Sequence, residues 1–208
     1  MNEMIVRQRL RIEFEQVFAN SRNNLRFFPH VIVFLSAPQD VTRSPGDPAY
    51  EMSAENIARA MYSVILIETQ GSDVSTLILS GETEQLPGMK KLVEDIGERR
   101  YIPICSGNRG QSHTMTQFQS FVRWLRQQSY ESRVGLVFVT SQYHVPRVRR
   151  YAAKHIPCGD FRWHVAGVPN DVGLYNQTVK VDGEIDRIIR FANQGIFDLF
   201  PDLGEDNS

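Results

Sequence analysis

Cysteine is scarce in this chain: Cys105 and Cys158 are the two in 208 residues, with no CxxC spacing and no second ligand cluster beside them. That pattern points to reduced thiols rather than a disulfide framework or a structural zinc site, and no metal is expected. An excess of one charge is also lacking. The net charge of −1 removes the general pull toward nucleic acid or an anionic membrane, so neither is expected as a partner. Long apolar runs are missing as well. Stretches such as Val31-Ile32-Val33-Phe34-Leu35 are far too short to span a bilayer. Arg7, Arg9, Arg11, Glu13 and Glu15 break up the first residues, where a signal peptide needs an unbroken apolar core, so a cytoplasmic location is expected. No GxGxxG follows the first apolar run, and GxxxxGK[ST], HExxH and GxSxG do not occur. A standard dinucleotide fold, a P-loop, a zincin and a hydrolase elbow are thereby set aside.

What remains is an ordinary globular composition, 41% apolar and 23% charged, long enough to bury a core without staples. Short β-branched runs alternate with helical stretches. Strands are expected at His30–Leu35, Thr76–Leu79, Tyr101–Cys105, Val134–Val139 and Phe161–Val165. Helices are expected at Ser53–Glu68, Gly88–Ile96, 114–128, Pro146–His155 and 182–199, with Ser53 as a cap and Gly97 as a stop. The alternation predicts an α/β fold, a Rossmann-like three-layer sandwich around a mostly parallel sheet of about five strands. Residues 4–19 read as an amphipathic helix with Ile5, Leu10, Ile12, Phe14, Val17 and Phe18 inward. The helix would pack on the domain or against a second subunit in a homodimer. The organisation expected is that helix within 1–28, one α/β domain over 29–200 and a mobile acidic tail at 201–208. Residues 36–49, rich in proline, form a loop.

Ligands of open parallel sheets bind outside the carboxyl ends of the strands, so polar residues there carry the functional signal. Ser80 and Gly81 end the second strand, the glycine permitting close backbone approach and the serine offering a hydroxyl. The loop Cys105–Thr114 runs into a helix N-terminus suited to anions, with His113, Thr114 and Arg109 in it, and Ser112 or Thr114 as its cap. The fourth strand ends in Thr140 and Ser141, followed by His144, Pro146 at the first helical position and Arg147 in the first turn. A cation at a helix N-terminus is disfavoured unless an anion joins it, so this convergence points to a phosphate, pyrophosphate or carboxylate ligand. The simpler roles are capping for His144 and a surface ion pair for Arg147. Arg147, Arg149 and Arg150 form a basic cluster.

The combination strand-Ser-Gly, a Ser/Thr-rich loop entering a helix, and Thr140-Ser141-x-x-His144-x-x-Arg147 resembles the YdcF/SanA/ElyC family over about His30 to Gly195. Glu184 and Arg187 are similar to a C-terminal helix motif of that family, and Met89 matches a common methionine. Glu82 replaces the second glycine of its Ser-Gly-Gly, and His113 and Gln117 stand where asparagines are usual. The resemblance implies a Rossmann-like fold and, from one member, S-adenosylmethionine as a cofactor or ligand. The resulting expectation is an enzyme, a hydrolase or transferase, acting on a phosphorylated or nucleotide-like small molecule. His144 would be the general acid or base, Glu184 its support, and Ser80, Gly81, His113, Thr114, Thr140, Ser141 and Arg147 the ligand contacts. The alternative is a non-catalytic module that binds S-adenosylmethionine or a nucleotide and acts through a protein partner.

Overall fold

Strand β1, Val31–Leu35, is apolar at every position and buried at every position. Such a strand is stable only with layers on both sides. Side-chain alternation sends Val31, Val33 and Leu35 into one apolar cluster and Ile32 and Phe34 into another. The computed structural model of the chain describes residues 2–19, 29–36, 53–69, 76–98, 100–108, 113–129, 134–156, 161–168 and 174–202. The expectations for 37–49, Arg109, Ser112, Cys158 and most of the acidic tail fall outside the described residues.

The elements follow in order: α1 (Glu3–Ala19), β1, α2 (Ala54–Thr69), β2 (Thr76–Gly81), α3 (Leu86–Ile96), β3 (Tyr101–Cys105), α4 (Thr114–Leu125), β4 (Val134–Ser141), a 3-10 turn (Gln142–His144), α5 (Val145–His155), β5 (Phe161–Val168) and α6 (Leu174–Asn193). The five strands form one sheet in the order β3-β2-β1-β4-β5. Every pairing is parallel, with Val33 opposite Ile78 on one side and Phe138 on the other. Helices α2 and α3 cover one face through Ala60, Leu66, Ile67, Met89, Leu92 and Val93. Helices α1, α4, α5 and α6 cover the other through residues such as Leu10, Phe118, Tyr151 and Ile188. The architecture is a three-layer α/β sandwich with a Rossmann-like sheet. The chain steps outward from β1 to β3, then returns to the far side of β1 with β4. That reversal makes the carboxyl ends of β1 and β4 the switch point at which open α/β sheets form their ligand crevice.

Several local expectations shift. Helix α1 buries Val6, Leu10, Phe14 and Val17, a helical stripe that leaves Ile5 and Ile12 about half exposed. The hydroxyl of Ser53 does cap α2, accepting from the Asn56 amide at 3.2 Å. Gly97 ends α3 with φ of 112°, a conformation that favours glycine. Helix α4 is capped by His113, and Thr114 is its first residue. The His113 Nδ1 accepts from the Thr116 amide at 3.4 Å while the Thr116 hydroxyl accepts from the His113 amide. Helix α5 begins at Val145, so Pro146 is its second residue. Helix α6 spans Leu174–Asn193 rather than 182–199. Phe197 lies beyond it, packed edge-on against Tyr151 at 5.1 Å. No helix among the described residues is long and apolar enough to cross a membrane.

Candidate functional site

Alternation along β4 sends Thr140 toward the α4/α5 face, like Phe138, and Ser141 toward α2, like Val139. The two hydroxyls therefore do not share one small volume, as their adjacency in sequence suggested. Ser141 meets the guanidinium of Arg59, from α2. Arg59 Nη2 and Nε donate to Ser141 Oγ at 2.6 and 3.1 Å, and Nη1 donates to the Leu35 carbonyl at 2.7 Å. Arg59 is thus wedged between the ends of β1 and β4, only 1% exposed.

A buried guanidinium requires a counter-charge. Glu55, one helical turn earlier on α2, supplies it at 3.4 Å from Nη2. The same carboxylate accepts from Ser141 Oγ at 3.2 Å, from the Tyr143 hydroxyl at 2.8 and 2.9 Å, and from Lys180 Nζ on α6 at 2.6 Å. Lys180 also lies 4.5 Å from the centre of the Tyr143 ring. Burial pushes the Arg59 guanidinium down to about 10, with Glu55 opposing the fall. Burial works to raise the Glu55 carboxyl, and Lys180, Arg59 and Tyr143 outweigh it, so its pKa lies below the usual carboxylate value. Tyr143 is pushed up by burial and by Glu55.

The 3-10 turn carries the chain from this group to a second one. His144 stands at the N-cap of α5, yet its side chain makes no capping bond. Its Nδ1 lies 2.9 Å from Arg147 Nη2 and 3.4 Å from Glu184 Oε2 on α6. Arg147 Nε donates to that same oxygen at 2.7 Å, and Arg187 donates to Oε1. A guanidinium has only donors, so its contact with Nδ1 requires a lone pair there and a neutral imidazole with its proton on Nε2. Burial acts the same way and pushes the His144 imidazole down to about 4, despite Glu184. Burial also works to raise Glu184. Its neighbours His144, Arg147 and Arg187 more than reverse it, leaving a carboxyl at about 2. Nε2 of His144 makes no hydrogen bond among the described residues.

The structure therefore puts Ser141 in one polar group, with Arg59 and Glu55, and joins His144, Arg147 and Glu184 in a second beside it; the 3-10 turn and α6 supply residues to both. Ser80 lies on a different neighbour of β1. It is fully buried, points toward α4, and its hydroxyl has no hydrogen-bond partner among the described residues. Gln117 closes over it from α4, donating to Ser36 Oγ at 2.7 Å and to the Ser80 carbonyl at 3.4 Å. Gly81 is the last residue of β2, and the close approach it allows is made by its own chain. A Cβ there would lie 2.9 Å from Met89 Sδ and 3.1 Å from Gln85 Oε1. His113 is exposed and engaged as a cap, and Thr114 opens α4, so neither joins the two polar groups. Among the described residues, no group of three His, Cys, Asp or Glu side chains is placed to hold a metal ion.

Glu55, Arg59, Tyr143 and Lys180 were not singled out from sequence. One signal was present. Arg59 occupies the apolar stripe of α2, with Asn56, Ala60, Ser63, Val64 and Ile67 buried around it, and a cation on a core-facing stripe needs an explanation. The Arg147-Arg149-Arg150 cluster, in contrast, is not a surface patch. Arg150 is 2% exposed and reaches Glu13 on α1 through two nitrogens, at 2.9 and 2.8 Å, and the carbonyls of Pro146 and Leu199.

No family model, curated protein or solved structure matches this chain.

Proposed function

We propose that this chain is an enzyme that binds a phosphorylated or nucleotide-like small molecule at the β1/β4 crevice and transfers or hydrolyses its anionic group. One observation carries the reading. Four cationic side chains, Arg59, Arg147, Lys180 and Arg187, face two carboxylates, Glu55 and Glu184, around the crevice. Such an imbalance in a partly buried site favours an anionic guest. The likeness of Thr140-Ser141-x-x-His144-x-x-Arg147 to the YdcF/SanA/ElyC pattern belongs with this reading.

His144 supplies the proton chemistry. An anion that takes Nη2 of Arg147 releases Nδ1; the ring proton then leaves Nε2 to water while Nδ1 gains one from water, so the imidazole stays neutral and Nδ1 donates to Glu184. Nε2 becomes the basic nitrogen, ready to accept a proton from water or a hydroxyl. Arg147 holds the anion, and Ser141 with Tyr143 completes the hydrogen bonding.

A second reading is favoured by the same contact of Arg147 with Nδ1. An imidazole fixed as neutral suits a non-catalytic module that binds S-adenosylmethionine or a nucleotide and acts through a partner. Thermal shift of the purified chain against phosphate, nucleotides, S-adenosylmethionine and isoprenyl phosphates tests both, with Arg147→Ala in parallel. A ligand at a hundred times its Kd adds about 2.7 kcal/mol, and that gain is expected to vanish in the variant. His144→Ala then separates the readings: turnover is abolished in the first, and binding is only weakened in the second. No stabilisation by any anion would sink both.

A further inference from the structure

Glu55 is held as a protein holds a bound anion. Four residues from α2, the end of β4, the 3-10 turn and α6 direct donors at one carboxylate: Arg59, Ser141, Tyr143 and Lys180. The carboxylates of the two polar groups differ in kind. The Glu184 side chain is wholly buried and anchors Arg147, Arg187 and His144. The Glu55 side chain keeps 21% of its surface in contact with solvent and sits in the first turn of α2. Three rotatable bonds let it swing outward into water. Arg59, at 1% exposure, has no such freedom and requires a negative partner at all times.

We infer that Glu55 is an internal stand-in for the ligand's anionic group. The donors around it form a phosphate-class subsite, and the incoming anion displaces the carboxylate from it. The inference rests on the anion-binding reading above and goes beyond it by naming the donor set and the occupant that must leave. A phosphate group brings more charge and three terminal oxygens where a carboxylate offers two. The same four donors therefore hold it more strongly, and the counter-charge of Arg59 is never lost during the exchange.

The test is calorimetric titration of the full chain with inorganic phosphate, using wild type, Glu55→Gln, Glu184→Gln and Lys180→Met. An internal competitor that fills its subsite about nine-tenths of the time weakens binding about ten-fold, so Glu55→Gln is expected to tighten phosphate by about that factor. Lys180→Met is expected to weaken it. Glu184→Gln is the control for simple charge removal: it is expected to weaken binding, because Arg147 and His144 lose their anchor. Equal tightening by both glutamine variants, or none by Glu55→Gln, overturns the inference. If wild type binds phosphate through Arg147 while Glu55→Gln tightens nothing, the proposed function stands and the stand-in falls. If no protein in the set binds phosphate, both fall. Should Glu55→Gln not fold, carboxylate carbon-13 resonances of glutamate-labelled wild type give the answer, with Glu55→Asp for assignment. Movement of the Glu55 signal on adding phosphate supports displacement, and a signal that stays fixed rejects it.

Discussion

Gly167 shows how little room some residues of this edge leave. A Cβ there would lie 2.8 Å from Val145 Cγ2 and 3.1 Å from the backbone Cα of Gln142. Backbone yields less readily than the flexible Met89 side chain that faces Gly81. Gly167→Ala is therefore expected to cost about 1–3 kcal/mol, the usual range for overpacking, read as a lower urea midpoint. Its crowded neighbours flank His144, so the His144 ring resonances should shift too. A variant with the wild-type midpoint would show that the 3-10 turn gives way freely. At this scale sequence reading was half successful. His144 and Arg147 were legible from their spacing after a strand, whereas Glu184 was singled out only by the family resemblance; the structure brings the three together. Glu55 and Arg59 escaped because an i,i+4 pair on a helix usually means a surface ion pair, and only tertiary packing turns this one inward. Arg150 escaped for the opposite reason: its neighbours Arg147 and Arg149 made it look like part of a patch.

Among elements, α1 is the one whose role differs most from a detachable arm. Leu10 and Phe14 are buried in the cluster that also contains Phe138 and Ile188, and Glu13 receives Arg150 from α5. Leu10→Ala is expected to cost about 2–5 kcal/mol, as for other buried leucines. Ile12→Ala, on the outward side, should stay within about 0.5 kcal/mol. Urea denaturation of the two variants checks this, and equal losses would contradict the observed stripe. The strands were readable because continuous apolar runs have few alternatives in an α/β chain. Helix α6 was misplaced because its early turns carry no clean apolar stripe: Val179 is 56% exposed while Lys180 turns inward to Glu55. At the other end Phe197 is a core residue without being a helical one, since Gly195, at φ of 70°, has already turned the chain.

For the whole molecule, the buried imidazole of His144 and the half-buried one of His164 tie stability to pH. His144 and His164 are both pushed down to about 4, in each case first by burial, with nearby arginines adding to it. The folded pKa lies below the ordinary 6.5, so the unfolded chain binds more protons between those values. Their contribution is complete above pH 6.5 and is lost as pH falls toward 4. Glu184, held at about 2, adds a second loss as pH falls below its ordinary 4.5. Urea midpoints are expected to decline from pH 7 to 4 and again below 4.5, and His164→Leu should flatten the first decline. A midpoint constant from pH 7 to 5 would refute the assignment. The layer count and parallel sense were readable from alternation alone. Strand order was not, because nothing local says that β4 docks beside β1 rather than beyond β3.

That order has a consequence for how the chain is made. Of the five strands of this sheet the central one leaves the ribosome first, and its second neighbour begins about a hundred residues later, at Val134. Until then β1, apolar on both faces, presents an open edge of unpaired backbone N–H and C=O groups, the kind of edge that recruits other chains. A nascent chain halted between β3 and β4 would hold a half-sheet with one long flank unguarded. The return of the chain that creates the switch point thus also sets the interval during which this protein depends most on being shielded.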